Sequence, residues 1–326
     1  MIYKKVKRID EQISALGVGC WNFGGDWDCS EDNNSDRIIH AAIDLGINFF
    51  DVAPVYGWYH SEEVLGKALE GGLREKVVIA SKCGLLWDEN HVTRNDLSKK
   101  SILEEIDGSL RRLRTDYIDI YQLHWPDHDT PIEETAEALL EIKKAGKIRH
   151  VGLSNFSQAD VAAFEAIVPV DCQQGLYNML ERNTSSYHGI PLEYKTEDEM
   201  LVTVRRLGQA FLPYSPYMQG LLTGRFTKEY RFSPTDIRNQ NPKFFGEAFD
   251  TYYAGYEKLQ AFADSIGRPM NEICVNWLRQ NDAVTSIIGG ASNQKQLEAN
   301  VRAMEWDLTE EELAVIAGII EPFRTM

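Results

Sequence analysis

The sequence predicts an α/β fold, a (β/α)8 TIM barrel with an N-terminal β-hairpin and extra C-terminal helices. Three observations carry that expectation: eight short apolar, β-branched runs, a segment of helical period after each, and no low-complexity linker dividing the 326 residues. A single domain spanning 1–326 is the economical reading.

The strand candidates, in chain order, are ALGVG (15–19), NFFDVA (48–53), VVIASKC (77–83), YIDIYQLH (117–124), IRHVGLSN (148–155), VDCQQGLYN (170–178), QAFLPYSP (209–216) and VTSIIGG (284–290). Their number matters, because eight strands with intervening helices close into a barrel, whereas an open doubly wound sheet usually has fewer and begins with G-x-G-x-x-G. GVGCWNFGG after the first candidate has the wrong spacing for that fingerprint, so its glycines read as turn residues. Helical period is clear in SDRIIHAAIDL, closed by Gly46, and in KKSILEEIDGSLRRL, entered through Ser98. Ahead of the first barrel strand, YKKV and QISA flank a polar RIDEQ turn and suit a hairpin that closes the barrel bottom. The stretch 217–248 is too long for a plain connection and carries Tyr217, Phe226, Tyr230, Phe232, Phe244 and Phe245. Long loops in compact domains are usually functional. After the eighth strand, NQKQLEANVRAM and TEEELAVIAGII read as two further helices.

Composition narrows the partners. With 34 basic against 50 acidic residues the chain carries a formal charge of −16, so no nucleic acid and no anionic membrane surface is expected to bind it. There is no hydrophobic leader at MIYKKVKRIDEQI and no apolar run of membrane length. The five cysteines, Cys20, Cys29, Cys83, Cys172 and Cys274, are odd in number and form no C-x-x-C pair, which fits reduced thiols and a cytoplasmic location. Oligomeric state is left open.

In a (β/α)8 barrel, functional side chains gather at the carboxyl ends of the strands. The second candidate strand ends in Asp51 with Tyr56 just beyond, the third carries Lys82, and the fourth ends in His124. Each has an ordinary structural explanation when taken singly: a turn-capping Asp, a packed Tyr or His. A lysine inside VVIASKCGLL is harder to explain that way, since a buried ammonium is costly unless paired, and Asp51 on the neighbouring strand is the obvious partner. Three consecutive strands presenting such groups at one end point to a shared site. His124 and His128, four apart in HWPDH, lack a third ligand and are separated by Pro126, so no metal is expected. Cys83 alternates to the face opposite Lys82 and reads as a core cysteine.

The motifs GVGCW, DVAPVYG, SKCG, QLHWPD, GLSNF, QQGLYN, YSPYMQGLLTGR and IIGGASNQKQLEAN, in this order, resemble the aldo-keto reductase family over nearly the whole chain. YSPYMQGLLTGR and GGASNQKQLEAN are similar to its bacterial branch, which is related to potassium-channel β subunits. The resemblance implies a reduced nicotinamide cofactor, NADPH with NADH as the alternative, that gives hydride to a small-molecule aldehyde or ketone. It implies Tyr56 as proton donor, Lys82 as the charge that lowers the phenol's pKa, Asp51 as the group that holds Lys82, and His124 as the residue that orients the carbonyl. For the cofactor it implies Ser154, Asn155 and Gln174 at the nicotinamide amide, with Tyr214 stacked on the ring and Trp21 among the contacts. Ser215, Pro216 and Arg225 follow along the pyrophosphate, and Gly290, Ser292, Gln296 and Asn300 take the adenosine end. The chain departs from the common pattern at Ser292, Asn293 and Ala299, where relatives carry a basic residue or an acid, so charge for a 2′-phosphate has to come from Lys295 or Arg238. It also has Tyr217 where leucine is common. Trp21, Trp58, Trp87, Trp125 and the aromatic 217–248 stretch suggest apolar walls around the substrate. Two alternatives stay open, a Schiff-base lyase using Lys82 and a cofactor-binding regulatory subunit.

Overall fold

The computed structural model describes residues 1–25, 32–234 and 236–326, so Cys29 lies outside the described residues. In chain order the strands are β1 (Tyr3–Val6), β2 (Ile9–Ser14), β3 (Leu16–Gly19), β4 (Phe49–Asp51), β5 (Val78–Cys83), β6 (Leu85–Trp87), β7 (Thr93–Asn95), β8 (Ile118–Leu123), β9 (Ile148–Ser154), β10 (Cys172–Leu176), β11 (Ser186–Tyr187), β12 (Ile190–Pro191), β13 (Ala210–Tyr214) and β14 (Ile287–Gly289). The helices are α1 (Asp32–Asp44), α2 (His60–Ala68), α3 (Lys99–Leu113), α4 (Ile132–Lys144), α5 (Gln158–Glu165), α6 (Leu201–Leu207), α7 (Gly246–Ser265), α8 (Met270–Gln280), α9 (Gln294–Arg302) and α10 (Glu310–Ile320).

All eight anticipated strands form, shortened at their ends, and they pair in parallel in the order β13-β10-β9-β8-β5-β4-β3-β14. The barrel is nearly closed. Between β13 and β14 there is no ladder; the seam is held by Thr285 N–H donating to Phe211 O at 2.9 Å and Phe211 N–H donating to Thr285 Oγ1 at 3.1 Å. Ser98 caps α3 as expected, accepting from Ser101 N–H.

Strand alternation sorts the core into two layers. Phe49, Val78, Ala80, Ile120, Cys172, Ala210, Leu212 and Ile288 fill the barrel interior, while Phe50, Ile79, Cys83, Tyr121, Val151 and Phe211 pack outward beneath the helices. Cys83 therefore does face away from Lys82. The same period places Asp51, Lys82, Gln122, Gln174 and Tyr214 each two residues beyond an inward apolar residue, at the carboxyl ends of their strands. An apolar plug thus carries a polar layer above it.

The hairpin closes the other end, with Ile9 and Ile13 inserted into the interior cluster. Its turn corrects the expected one: the reversal occurs at Lys7 and Arg8, and Ile9–Ser14 continues as strand, because Ile9 and Ile13 have to share one face to reach the core. Short hairpins β6-β7 and β11-β12 were not anticipated. Beyond β13 the chain makes 3-10 turns at Met218–Thr223, Ile237–Gln240 and Pro242–Phe244, and α7 begins at Gly246, inside the stretch expected to be loop. Among the described residues, no helix is long and apolar enough to cross a membrane.

Charged residues gather at the hairpin end. His150 Nε2 lies 2.9 Å from Glu11 Oε2, and its Nδ1 lies 3.5 Å from Asp171 Oδ2. Burial lowers the imidazole pKa, but Asp171 and Glu11 outweigh it and raise the value above 6.5. A raised folded-state pKa gives stability that is complete below about pH 6.5 and is lost as pH rises through the folded value. The melting temperature of the wild type should exceed that of His150→Gln at pH 6, and the gap should narrow toward pH 9. A gap that holds constant or widens with pH would contradict this assignment.

Candidate active site

The polar layer is organised by one buried ion pair. Lys82 is 0% exposed, and its ammonium spends three N–H donors on Asp51 Oδ1 at 2.7 Å, Val52 O at 3.1 Å and Tyr56 Oη at 3.1 Å. Asp51 is held in turn, since its Oδ2 accepts from Gln174 Nε2 at 2.8 Å and from Gln122 Nε2 at 3.4 Å. Every hydrogen-bonding position of the pair that faces the interior therefore has a partner.

Tyr56 hangs from the turn after β4, where Tyr56 N–H donates to Ala53 O. That turn is fixed against the loop after β3 by a backbone contact between Gly57 and Gly24. A Cβ built on Gly24 would sit 2.4 Å from Gly57 N, and one on Gly57, whose φ is +60°, would sit 2.1 Å from Gly24 O. Trp21 stacks on the Tyr56 ring at 5.8 Å, and the His124 ring meets its edge at 5.9 Å. His124 is placed by its own N–H, which donates to Cys83 O at the end of β5. The four residues expected to act together are therefore in contact at one rim.

The electrostatics differ from the expectation in one respect. Lys82 was expected to lower the phenol's pKa, but burial, with Asp51 and then Cys20 adding to it, pushes Tyr56 well above 10. The ammonium is shared with a nearer carboxylate, so its field at the phenol is largely cancelled. Tyr56 therefore rests as a neutral phenol. Burial and Lys82 push His124 well below 6.5, so its imidazole is uncharged.

The remaining predicted contacts lie along one side of the mouth. Asn155, with φ +67°, donates to Ser154 Oγ and His124 O and accepts from the hydroxyls of Tyr194 and Tyr214. Its amide is saturated within the protein, so it serves first to fix Ser154 and Tyr214. The Gln174 amide is likewise committed to Asp51. Past Tyr214 the backbone enters positive φ at Ser215, Met218 and Gln219, a strained run of the kind that clusters at binding sites. Pro216 is buried within it, and Arg225 beyond it is exposed. The Ser215 Oγ and Tyr217 Oη atoms are buried without hydrogen-bond partners. At the far end, Asn293 caps α9 by accepting from Gln296 N–H, and Gln296 Oε1 accepts from Ser292 N–H. Asn300 Nδ2 donates to Gly290 O at 3.5 Å, and a Cβ on Gly290 would meet nothing within 4 Å. Orphaned hydroxyls at Ser215 and Tyr217, an open glycine at Gly290 and the amino terminus of α9 are groups of the kind that fit the phosphates and sugar of a dinucleotide.

Two expectations need correction. Arg238 is not an available cation: it is buried, paired with Asp236, donates to Gln219 O, and stacks over Phe226 and Phe232. The aromatic residues of 217–248 do not wall the mouth as a group either, since Phe226, Tyr230, Phe232, Phe244 and Phe245 pack on one another, edge to face in most pairs. At the rim Trp58 stacks on His91, and Trp87 meets both Trp58 and Tyr59 at a tilt. Sequence reasoning missed Gln122, although strand alternation from Ile120 could have found it. It also missed Tyr187, His188 and Tyr194, which stand on a loop without periodicity. Among the described residues, no cluster of three His, Cys, Asp or Glu side chains could hold a metal, and His128 pairs with Glu193 at 3.0 Å.

Comparison with known proteins shows the family. The model of the Aldo/keto reductase family matches residues 15–321. The aldo-keto reductase YhdN of Bacillus subtilis is 37% identical over 98% of this chain and 94% of its own. An NADH-specific methylglyoxal reductase of Escherichia coli is 32% identical over 96% of each chain. A probable voltage-gated potassium channel subunit beta of rice is 30% identical over 94% of this chain and 92% of its own. Among solved structures, the glycerol dehydrogenase AKR11B4 from Gluconobacter oxydans superposes with a TM-score of 0.85 at 33% identity, covering 98% of this chain and 95% of that one.

Two ionisation states follow from the geometry. The ring resonances of His124 should report a neutral imidazole at pH 6.5 and above. The ultraviolet phenolate signal lost on changing Tyr56→Phe should be absent up to about pH 10. An imidazole titrating near its ordinary value, or a phenolate present at neutral pH, would show that burial does not dominate this site.

Proposed function

Because the chain belongs to the aldo/keto reductase family and is an oxidoreductase, we propose that it reduces a small aldehyde or ketone to the alcohol, with Tyr56 as proton donor and NADH as the reductant. The observation that carries this reading is the buried Lys82, joined at once to Asp51 and to the Tyr56 hydroxyl. A bound reduced nicotinamide supplies the hydride. Ser154 and Tyr214 would meet its ring, with Asn155, Gln174 and Trp21 supporting that end. Ser215, Pro216 and Arg225 would follow its pyrophosphate, and Gly290, Ser292, Gln296 and Asn300 would hold its adenosine end.

The chain's own part is proton and charge management. The neutral phenol of Tyr56 donates to the carbonyl oxygen, and the negative charge left on Tyr56 Oη is stabilised by the Lys82 N–H already directed at it from 3.1 Å. Asp51, anchored by Gln174 and Gln122, keeps Lys82 from swinging toward the mouth. His124 presents an uncharged ring beside Tyr56 and orients the carbonyl by hydrogen bond without competing for its proton. A phenol held protonated suits reduction; the reverse oxidation requires its anion.

NADPH was expected from the resemblance, but the charge around the adenosine end favours NADH. A 2′-phosphate needs a cation. Arg238 is neutralised by Asp236, and Ser292 and Asn293 are uncharged, which leaves the exposed Lys295 in the first turn of α9. The methylglyoxal reductase among the relatives is NADH-specific by name. A Schiff-base role for Lys82 is disfavoured, because its donors are all engaged and no lone pair is open to a carbonyl. The likeness to the rice channel subunit supports the regulatory alternative, yet the assembled Asp51, Tyr56, Lys82 and His124 set supports catalysis.

Oxidation of NADH in the presence of a simple aldehyde tests the proposal directly. Tyr56→Phe should lower turnover by about 100-fold or more while leaving NADH affinity unchanged. In fluorescence titration NADH should bind at least about tenfold more tightly than NADPH. Full turnover in the Phe variant would reject Tyr56 as the donor, and tighter NADPH binding would reject the cofactor choice.

A further inference from the structure

The β11-β12 hairpin stands between β10 and α6, and its two-residue turn is His188-Gly189, with φ of +52° and +77°. A histidine at such a position is held against its backbone preference, where glycine or asparagine would sit without strain. Its surroundings bring it to the active mouth. The His188 ring lies 6.4 Å from Trp21, which stacks on Tyr56, and the adjacent Tyr187 meets the Tyr214 ring at 5.2 Å.

The hydrogen bonds around it fix which nitrogen carries the proton. Lys243 backbone N–H donates to Asn241 Oδ1 at 3.1 Å, so the other half of that amide, Nδ2, is the donor toward Gln219 Oε1 at 2.9 Å. Gln219 Oε1 is then an acceptor and its Nε2 a donor, with one hydrogen for Tyr187 Oη at 3.1 Å and one for His188 Nε2 at 2.6 Å. His188 Nε2 must therefore be unprotonated, and the imidazole hydrogen sits on Nδ1. Burial, with Lys243 adding and Glu181 opposing, holds the ring pKa down to about 4, so the ring is uncharged at neutral pH. His188 is half-buried, and its Nδ1 makes no hydrogen bond to a described residue.

We propose that His188 is a specificity-determining residue for the carbonyl reduction, its Nδ1–H binding a hydroxyl oxygen carried farther along the substrate chain than the reacting carbonyl. The assignment rests on the reductase function proposed above and names the substrate class as neutral, polyhydroxylated aldehydes and ketones. An uncharged donor suits a hydroxyl, while a carboxylate or phosphate substrate would meet no cation from this residue. Gln219 connects the choice to the strained segment beyond Tyr214, because the same side chain that sets the tautomer sits on positive-φ backbone held by Arg238 through Gln219 O.

The test compares erythrose with butanal, two aldehydes of equal chain length that differ in hydroxyl groups. His188→Gly removes the donor at a position whose backbone favours glycine, and His188→Asn keeps a side-chain N–H. The ratio of kcat/KM for erythrose over butanal should fall at least about tenfold in the Gly variant, through KM, and return to within about threefold of wild type in the Asn variant. Nitrogen chemical shifts of the wild-type ring should report the proton on Nδ1. An unchanged ratio in the Gly variant, no recovery in the Asn variant, or a proton on Nε2 would overturn the assignment. A wild type that reduces neither aldehyde would instead overturn the reductase function on which the assignment rests.

Discussion

The structure is built around the burial of one charge pair. Taking an ammonium and a carboxylate out of water costs several kcal/mol per ion before their attraction and hydrogen bonds offset it. Lys82 and Asp51 meet that cost through full coordination: a carbonyl and a phenol complete the ammonium, and two glutamine amides complete the carboxylate. The phenol is thus part of the solvation shell of the lysine. Removing any member leaves another unsatisfied in a dry interior, so the chemistry and the local stability of the barrel mouth are one constraint.

The apolar plug below makes that constraint affordable in space. Phe49, Ala80, Ile120, Cys172 and Leu212 floor the polar layer, and the N-terminal hairpin seals the plug from the far side with Ile9 and Ile13. Water is kept from the ion pair on that side. The charges around Arg74, Asp119, Arg149, His150 and Asp171 lie at the hairpin end, across the apolar core from the site, and they tune stability separately from the phenol.

Much of this was legible in the sequence because strands report their own geometry. A period of two, counted from apolar Phe49 and Ala80, puts Asp51 and Lys82 on the inside, and a buried lysine requires its acid. What was misjudged needed depth or distance. The pKa of Tyr56 depends on how far it is buried and on how closely Asp51 answers Lys82, neither of which is written in residue types. Arg238 looked available until Asp236, two residues away, was seen to bind it, and the aromatic residues around it looked like walls until they were seen to pack on each other. Tyr187, His188 and Tyr194 belong to a loop whose course only tertiary contacts determine.

The Gly24 and Gly57 contact sets a limit on how this mouth can change. The Tyr56 phenol hangs from a turn that leans on another backbone through a gap with no room for even a methyl group. Its hydroxyl is located by missing atoms as firmly as by present ones. Change in the mouth is therefore open to the side chains of the rim hairpins, while this glycine pair stays fixed as the pivot beneath them.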